Sequence, residues 1–148
     1  MKKALFIDRD GTINRDCPYC HDPADIWIYN DAVDLIRRYR SEGYMIIVVT
    51  NQSGINRNYF SVDQMNTFNE ALNSQLRRRG AEYDLVYYCP HTPEENCKCR
   101  KPGTGMVERA CRENGIDLNA SIMAGDRDDI DGEMARKLGI PFIHFSRL

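Results

Sequence analysis

No apolar run in this sequence approaches the roughly 20 residues that a membrane-spanning helix needs, so no span is expected. An excess of positive charge is missing as well. Lys and Arg number 20 against 22 Asp and Glu, a formal net charge of −2, which gives no electrostatic reason to expect nucleic acid. Met1-Lys2-Lys3 runs straight into an apolar stretch and lacks the build of a secretory leader, so the cytoplasm is the expected compartment. Internal repeats and linker-like stretches are also absent. The remaining composition, 42% hydrophobic and 28% charged over 148 residues, suits one globular domain spanning residues 1–148 with a core of its own. Six cysteines are present, but their clustering in a chain without a leader favours metal or redox roles over disulfides.

The rest of the chain is organised around residues 5–14, Leu-Phe-Ile-Asp-Arg-Asp-Gly-Thr-Ile-Asn. An apolar run ends in two acids one residue apart, followed by Gly11 and Thr12. A buried strand that delivers two carboxylates to the edge of a parallel sheet reads this way. Ligands of open α/β sheets bind just beyond the carboxyl ends of the strands. Asp-x-Asp at such an end also begins magnesium sites and supplies aspartyl nucleophiles, whereas the plain alternative is two solvated loop acids.

The pattern continues as alternating strands and helices. Residues 3–8 form a first strand, and residues 14–29, with two prolines and no clear period, a flap or long loop. Asn30 or Asp31 can cap a helix that turns Val33, Ile36 and Tyr39 inward and stops at Gly43. Residues 44–50 are a second buried strand. Ser61 and Gln64 fit a capping box, with Phe60 and Met65 as its hydrophobic staple, before a helix whose Met65, Phe68, Leu72 and Leu76 share one face. Arg77-Arg78-Arg79 is read as a solvated last turn complementing the helix dipole, a phosphate patch being the alternative. A strand over 84–89, a Cys- and Pro-rich loop over 90–102, a helix ending near Gly115, a strand over 121–124, a short helix ending at Gly139 and a strand over 140–145 follow. The expected architecture is α/β, a Rossmann-like parallel sheet with helices on both faces.

Two cysteine clusters stand out. Cys89-x-His91 and Cys97-x-Cys99 supply four donors of the types a closed tetrahedral zinc site uses, against the alternative of four reduced side chains in a loop. With no open position, such a zinc would be structural and would stiffen the loop ending in Arg100 and Lys101. Cys17-Pro18-Tyr19-Cys20-His21 matches both the haem-attachment and the thiol-redox spacings. Haem attachment requires export, and redox motifs usually open a helix after a strand, so substrate contacts are the favoured reading here.

Asp8-Arg9-Asp10-Gly11-Thr12-Ile13-Asn14 resembles the first motif of the haloacid-dehalogenase (HAD) phosphatases. Val48-Val49-Thr50-Asn51, Arg100-Lys101-Pro102 and Gly125-Asp126 with Asp131 follow in that family's order, and together the four motifs cover most of the chain. Cys-Pro-His and Cys-x-Cys-Arg-Lys-Pro make it similar to the branch that holds D,D-heptose 1,7-bisphosphate phosphatase and histidinol-phosphate phosphatase. The resemblance implies a magnesium-dependent phosphomonoester hydrolase. Asp8 would be the nucleophile and form an aspartyl phosphate, Asp10 the general acid and base, and Thr50 and Lys101 the groups that hold the phosphoryl oxygens. Magnesium would sit on Asp8, the Asp10 backbone carbonyl and Asp126, supported by Asp131, with Asp128 or Asp129 as substitutes. Substrate contacts are expected from the flap (Asp16, Cys17, Pro18, Tyr19), from Thr50, Asn51, Gln52 and Ser53, and from Arg100 and Lys101. Related phosphatases carry zinc in the cysteine loop.

The intervals between motifs leave no room for a cap domain, so water exclusion would fall to the flap and the zinc loop. Thr50-Asn51-Gln52-Ser53-Gly54-Ile55 leans towards the heptose-bisphosphate enzymes, the short zinc loop towards the histidinol-phosphate ones, and the sugar phosphate is preferred. A small phosphorylated metabolite is therefore the expected partner of a monomer that acts without nucleic acid or membrane. A reading of another class is a zinc-loop binding module without catalysis.

Overall fold

Residues 1–147 are described by the computed structural model; residue 148, the end of the expected domain, lies outside them. Five parallel strands form one sheet: β1 (Ala4–Ile7), β2 (Met45–Asn51), β3 (Leu85–Cys89), β4 (Ile122–Gly125) and β5 (Phe142–His144). Each lies within about two residues of its expected place, the usual scatter of strand ends. Side chains of β1 alternate between faces and all four are buried, so both faces need cover. On one side Leu5 and Ile7 join Val33, Ile36 and Tyr39 of α1 (Asn30–Ser41) and Phe68, Leu72 and Leu76 of α2 (Val62–Arg77). On the other, Ala4 and Phe6 join Met106, Val107 and Ala110 of α3 (Gly105–Asn114) and Met134 and Ala135 of α4 (Glu133–Leu138).

The spatial order is β3-β2-β1-β4-β5. The chain walks outward from β1 to β3, then crosses back to place β4 and β5 on the other side of β1. Connections leaving β1 and β4 therefore diverge and open a crevice at their carboxyl ends, the ligand-binding point of open α/β sheets. Between Asp8 and Thr50 the described residues hold the flap, with a short 3-10 turn at Pro23–Asp25, and α1. Between Thr50 and Lys101 they hold α2, β3 and the cysteine loop, so no inserted cap appears in either interval. The flap closes on itself where Arg15 N donates to Trp27 O at 2.7 Å and Tyr29 N to Ile13 O at 2.9 Å.

The capping box of α2 forms, with Gln64 N donating to Ser61 Oγ and Ser61 N to Gln64 Oε1. The start of α1 differs from expectation. Tyr29 occupies the cap position and offers no side-chain bond, while Asn30 is already helical. The Asn30 side-chain oxygen instead accepts from Arg79 Nη2, so a tertiary partner takes the atom that capping would have used. Of the arginine run, Arg77 pairs with Glu82 at 2.7 Å on the surface.

Candidate active site

β1 ends at the centre of the sheet, and the residue after it is Asp8, whose N–H still donates to Ala124 O of β4. Strand order thus fixes the Asp8 backbone from the neighbouring strand. Its carboxylate, 8% exposed, accepts from Lys101 Nζ at 2.7 Å and from Thr12 Oγ1 at 3.2 Å. Lys101 Nζ also reaches Asp131 Oδ1 at 2.8 Å, so one buried ammonium lies between two buried carboxylates. Burial raises the Asp8 pKa to about 6 even though Lys101 pulls it down, and Asp131 and Asp10 add to the rise. For Lys101, burial disfavours the charge, but Asp8 and Asp131 outweigh it and hold the ammonium above its ordinary value.

Asp126 follows β4 across the crevice. Oxygens of Asp8, Asp126 and Asp131 lie within 4.8 Å of one another, a hard carboxylate set of the kind that suits magnesium. Asp126 is raised by burial and then by the Asp8 charge. Asp16, on the flap, is raised by burial and then by Asp10 and Asp126. The crevice holds more negative charge than Lys101 neutralises, and a divalent cation would relieve it. Asp128 and Asp129 point elsewhere, paired with Arg136 at 3.1 Å and Arg127 at 2.8 Å. A π-type turn over Asp128–Gly132 carries Asp131 inward.

Two glycines make this approach possible. A Cβ on Gly11, which has φ +85°, would collide with the Asp126 carboxylate, and one on Gly125 with that of Asp131. Gly11→Ala is expected to fold but lose about 10²-fold or more in kcat/KM, because Asp126 must move by on the order of 1 Å. A steady-state assay within threefold of the parent would remove the claim that this contact sets the acid's position.

Asp10 is held differently. The fully buried Arg9 forks it, Nε to Oδ1 at 2.9 Å and Nη2 to Oδ2 at 2.9 Å. Asn14 donates to Oδ1 at 3.0 Å and Gln52 to Oδ2 at 3.1 Å. Arg9 is in turn fixed by Asn69 of α2 at 2.9 Å, by the Cys20 carbonyl at 3.0 Å and by the Phe68 ring beneath its guanidinium at 4.4 Å. From the far end of the chain, Arg147 donates to Gly11 O at 3.0 Å and Thr12 O at 2.8 Å while pairing with Asp31 at 2.7 Å.

At the end of β2, Thr50 is buried and accepts from Gln52 Nε2 at 2.8 Å. Asn51 holds the Lys101 backbone from both sides, accepting from its N–H at 2.9 Å and donating to its carbonyl at 3.2 Å. A cavity of about 540 Å³ opens over these groups. Asp8, Asp10, Thr50, Lys101, Asp126 and Asp131 line it, together with Asp16 to Tyr19, Asn51 to Ser53 and Arg100. Every residue expected at the phosphate, magnesium or substrate thus meets in one place, joined by Gly54, Arg127 and Ile130.

The cysteine loop borders this cavity through Arg100. Donor atoms of Cys89, His91, Cys97 and Cys99 all lie within 4.8 Å of one another. His91 Nδ1 is 3.3 Å from Cys89 Sγ and 3.2 Å from Cys99 Sγ, and Cys97 Sγ is 3.5 Å and 3.7 Å from the same two sulfurs. The Cys89 and Cys99 sulfurs adjoin within this cluster, and those of Cys17 and Cys20, which have the thiol-redox spacing, adjoin on the flap. Arg100 N donates to Cys97 Sγ at 3.3 Å and Arg100 Nη1 to His91 O at 3.4 Å, so the loop's fold is passed on to the residue before Lys101.

Comparison with known proteins accords with this geometry. Residues 5–144 match the family described as polynucleotide kinase 3 phosphatase. A protein of Thermoplasma volcanium named "probable D-glycero-D-manno-heptose-1,7-bisphosphate 7-phosphatase" is 53% identical over 140 residues, covering 95% of this chain and 96% of that one. The D-glycero-beta-D-manno-heptose-1,7-bisphosphate 7-phosphatase of Pasteurella multocida is 42% identical over 133 residues, 86% of this chain and 72% of that one. The chain belongs to the HAD-type phosphatases. The D,D-heptose 1,7-bisphosphate phosphatase of B. bronchiseptica, solved with magnesium and phosphate, superposes with a TM-score of 0.85 at 28% identity over 95% of this chain and 78% of that one.

Sequence reasoning about this phosphatase missed Arg9, Asn14, Asn69 and Arg147. Arg9 and Asn14 sat inside the quoted motif, and an arginine flanked by two acids is a signal for a fork. Asn69 and Arg147 gave none, since their partners lie 60 and 136 positions away.

Proposed function

We propose that residues 1–148 form one phosphatase domain that removes the 7-phosphate of D-glycero-D-manno-heptose 1,7-bisphosphate through an aspartyl phosphate on Asp8. One observation carries the reading: a buried Asp8–Lys101 pair at the sheet's switch point, in a chain so similar to relatives bearing that name. An Asp8 oxygen attacks phosphorus and the bond to the sugar oxygen breaks. Asp10 gives its proton to the departing alkoxide, then takes one from the water that attacks the phosphorylated Asp8, releasing phosphate and restoring both acids. Lys101 and Thr50 hold the phosphoryl oxygens, and Arg100 and the flap hold the sugar. Asp8, Asp126 and the Asp10 carbonyl would hold magnesium, which supplies charge neutralisation to the transferring group. Asp131 keeps Lys101 in place.

The substrate is tested by a panel of the heptose bisphosphate, histidinol phosphate and a 3′-phosphorylated oligonucleotide, the last because of the matched family's description. The bisphosphate should exceed both others by about 10²-fold or more in kcat/KM, since its hydroxyls pair with groups the others leave unmatched. Faster turnover of either competitor would replace the sugar assignment while leaving the phosphatase chemistry standing.

For the cysteine loop we propose structural zinc on Cys89, His91, Cys97 and Cys99. Four donor atoms of these types within 4.8 Å of one another make one cluster that a single ion would satisfy. Zinc should copurify at about one ion per chain, a closed four-ligand site. It should survive dialysis that removes magnesium and activity together, because thiolate and imidazole suit zinc whereas carboxylates suit magnesium. Cys99→Ser should shed the zinc and lose about 10²-fold in kcat/KM through displacement of Arg100 and Lys101. A zinc-free Cys99→Ser protein with parental kinetics would end the loop's role.

A further inference from the structure

We propose that Cys17 and Cys20 are a reversible dithiol–disulfide pair whose closure shapes the sugar-facing wall of the active site, making turnover responsive to small-molecule thiols and disulfides. The inference rests on the flap facing the sugar, as the proposed function has it.

The two cysteines differ in the way such a pair requires. Cys17 is half-buried and lines the catalytic cavity, whereas Cys20 is 3% exposed and belongs to the core beside α1 and α2. Their Cα atoms are 5.3 Å apart, a separation that a disulfide spans, and their sulfurs adjoin. Between them lie Pro18 and Tyr19, both on the cavity wall. Tyr19 has the left-handed φ of 53°, which a non-glycine residue keeps only when its surroundings impose it. Its ring meets Tyr59 edge-on at 4.6 Å, and the His21 ring stacks on Phe60 at 5.1 Å, so the flap leans on the segment leaving β2. The Cys20 carbonyl accepts from Arg9, the same guanidinium that forks Asp10. A bond from Cys17 to Cys20 therefore ties the cavity-lining side of the flap to a point fixed by the core and by Arg9. Reduction unties it, leaving the Tyr19 turn to relax and the wall to loosen.

The step balances as thiol–disulfide exchange with a small disulfide such as oxidised glutathione. The accessible Cys17 thiolate attacks one glutathione sulfur, forming a mixed disulfide and expelling one glutathione thiolate. Cys20 gives up its proton, and its sulfur attacks that of Cys17, expelling the second. Two protein thiols are oxidised and one glutathione disulfide is reduced to two thiols.

The full-length, metal-loaded enzyme is equilibrated in glutathione buffers from reducing to oxidising. Alkylation by iodoacetamide, read by peptide mass, reports Cys17 and Cys20 directly. KM and kcat for the heptose bisphosphate, and turnover of p-nitrophenyl phosphate, are measured alongside. Opening the pair should raise KM for the sugar about fivefold and leave kcat within about twofold, the signature of lost binding rather than lost chemistry. Cys20→Ser should hold one KM in every buffer. The proposal is overturned if both cysteines stay alkylatable under oxidising conditions, or if KM is indifferent to their state. It is equally overturned if Cys20→Ser shifts as the parent does, because the effect then comes from the remaining cysteines. Loss of p-nitrophenyl phosphate turnover in every buffer would instead count against the phosphatase reading itself.

Discussion

Asp8→Asn should abolish turnover, with kcat lowered by roughly 10³-fold or more, because an amide cannot attack phosphorus or carry the phosphoryl group. Shape and burial barely change, so the fold should persist. The substitution removes a carboxylate that burial already disfavours, as its pKa of about 6 indicates, so little stability is expected to disappear with it. Circular dichroism and a melting curve establish the fold, and single-turnover assays at high enzyme measure the chemistry. A pure Asp8→Asn sample that retained a tenth of the parental rate would rule out the aspartyl phosphate. Asp10→Asn separates the two acids, since its deficit should be greatest with poor leaving groups and smaller with p-nitrophenolate, which departs without a proton.

Lys101→Met should damage both activity and stability. In the parent, one buried ammonium satisfies the buried Asp8 and Asp131 at 2.7 and 2.8 Å. Removing it leaves two buried carboxylates facing each other, and breaking a buried pair in this way costs about 3–5 kcal/mol. For a chain of this size that corresponds to a melting temperature lower by about 10 °C in magnesium-free buffer. Magnesium should restore part of the stability by supplying positive charge to the acids, yet not the activity, because the phosphoryl oxygens have lost their fixed cation. Adding Asp131→Asn should likewise recover stability alone. If the single variant melted with the parent, Lys101 would not be what offsets the buried acids.

Asp8, Thr50 and Asp126 at the cavity were legible because each stands where an apolar strand pattern stops. They are fixed by the period of the run before them, and strand order then brings them together. Lys101 comes from a loop and was readable only through its motif. The supports behind these groups were hidden for a different reason. Arg9 carried no sign of burial in its own stretch, and Asn69, Phe68 and the Cys20 carbonyl, all farther along the chain, give it a buried place. Asn30 looked like a helix cap until Arg79 claimed its oxygen. Cys17 and Cys20 had the thiol-redox spacing, but the expectation that such motifs open a helix after a strand turned the reading towards substrate contacts. The flap, having no period, gave no hint of how its turn brings the two sulfurs together.

Arg147 ties the carbonyls of Gly11 and Thr12 to Asp31, joining one end of the chain to the loop that bears Asp10. β1 is the first strand in sequence, yet the clasp on the loop that follows it comes from a residue beyond β5. Asp126 and Asp131 likewise come from the stretch after β4. The loop that bears Asp10 is thus pinned from a position 136 residues away, so a cut after β5 would release it without removing any strand.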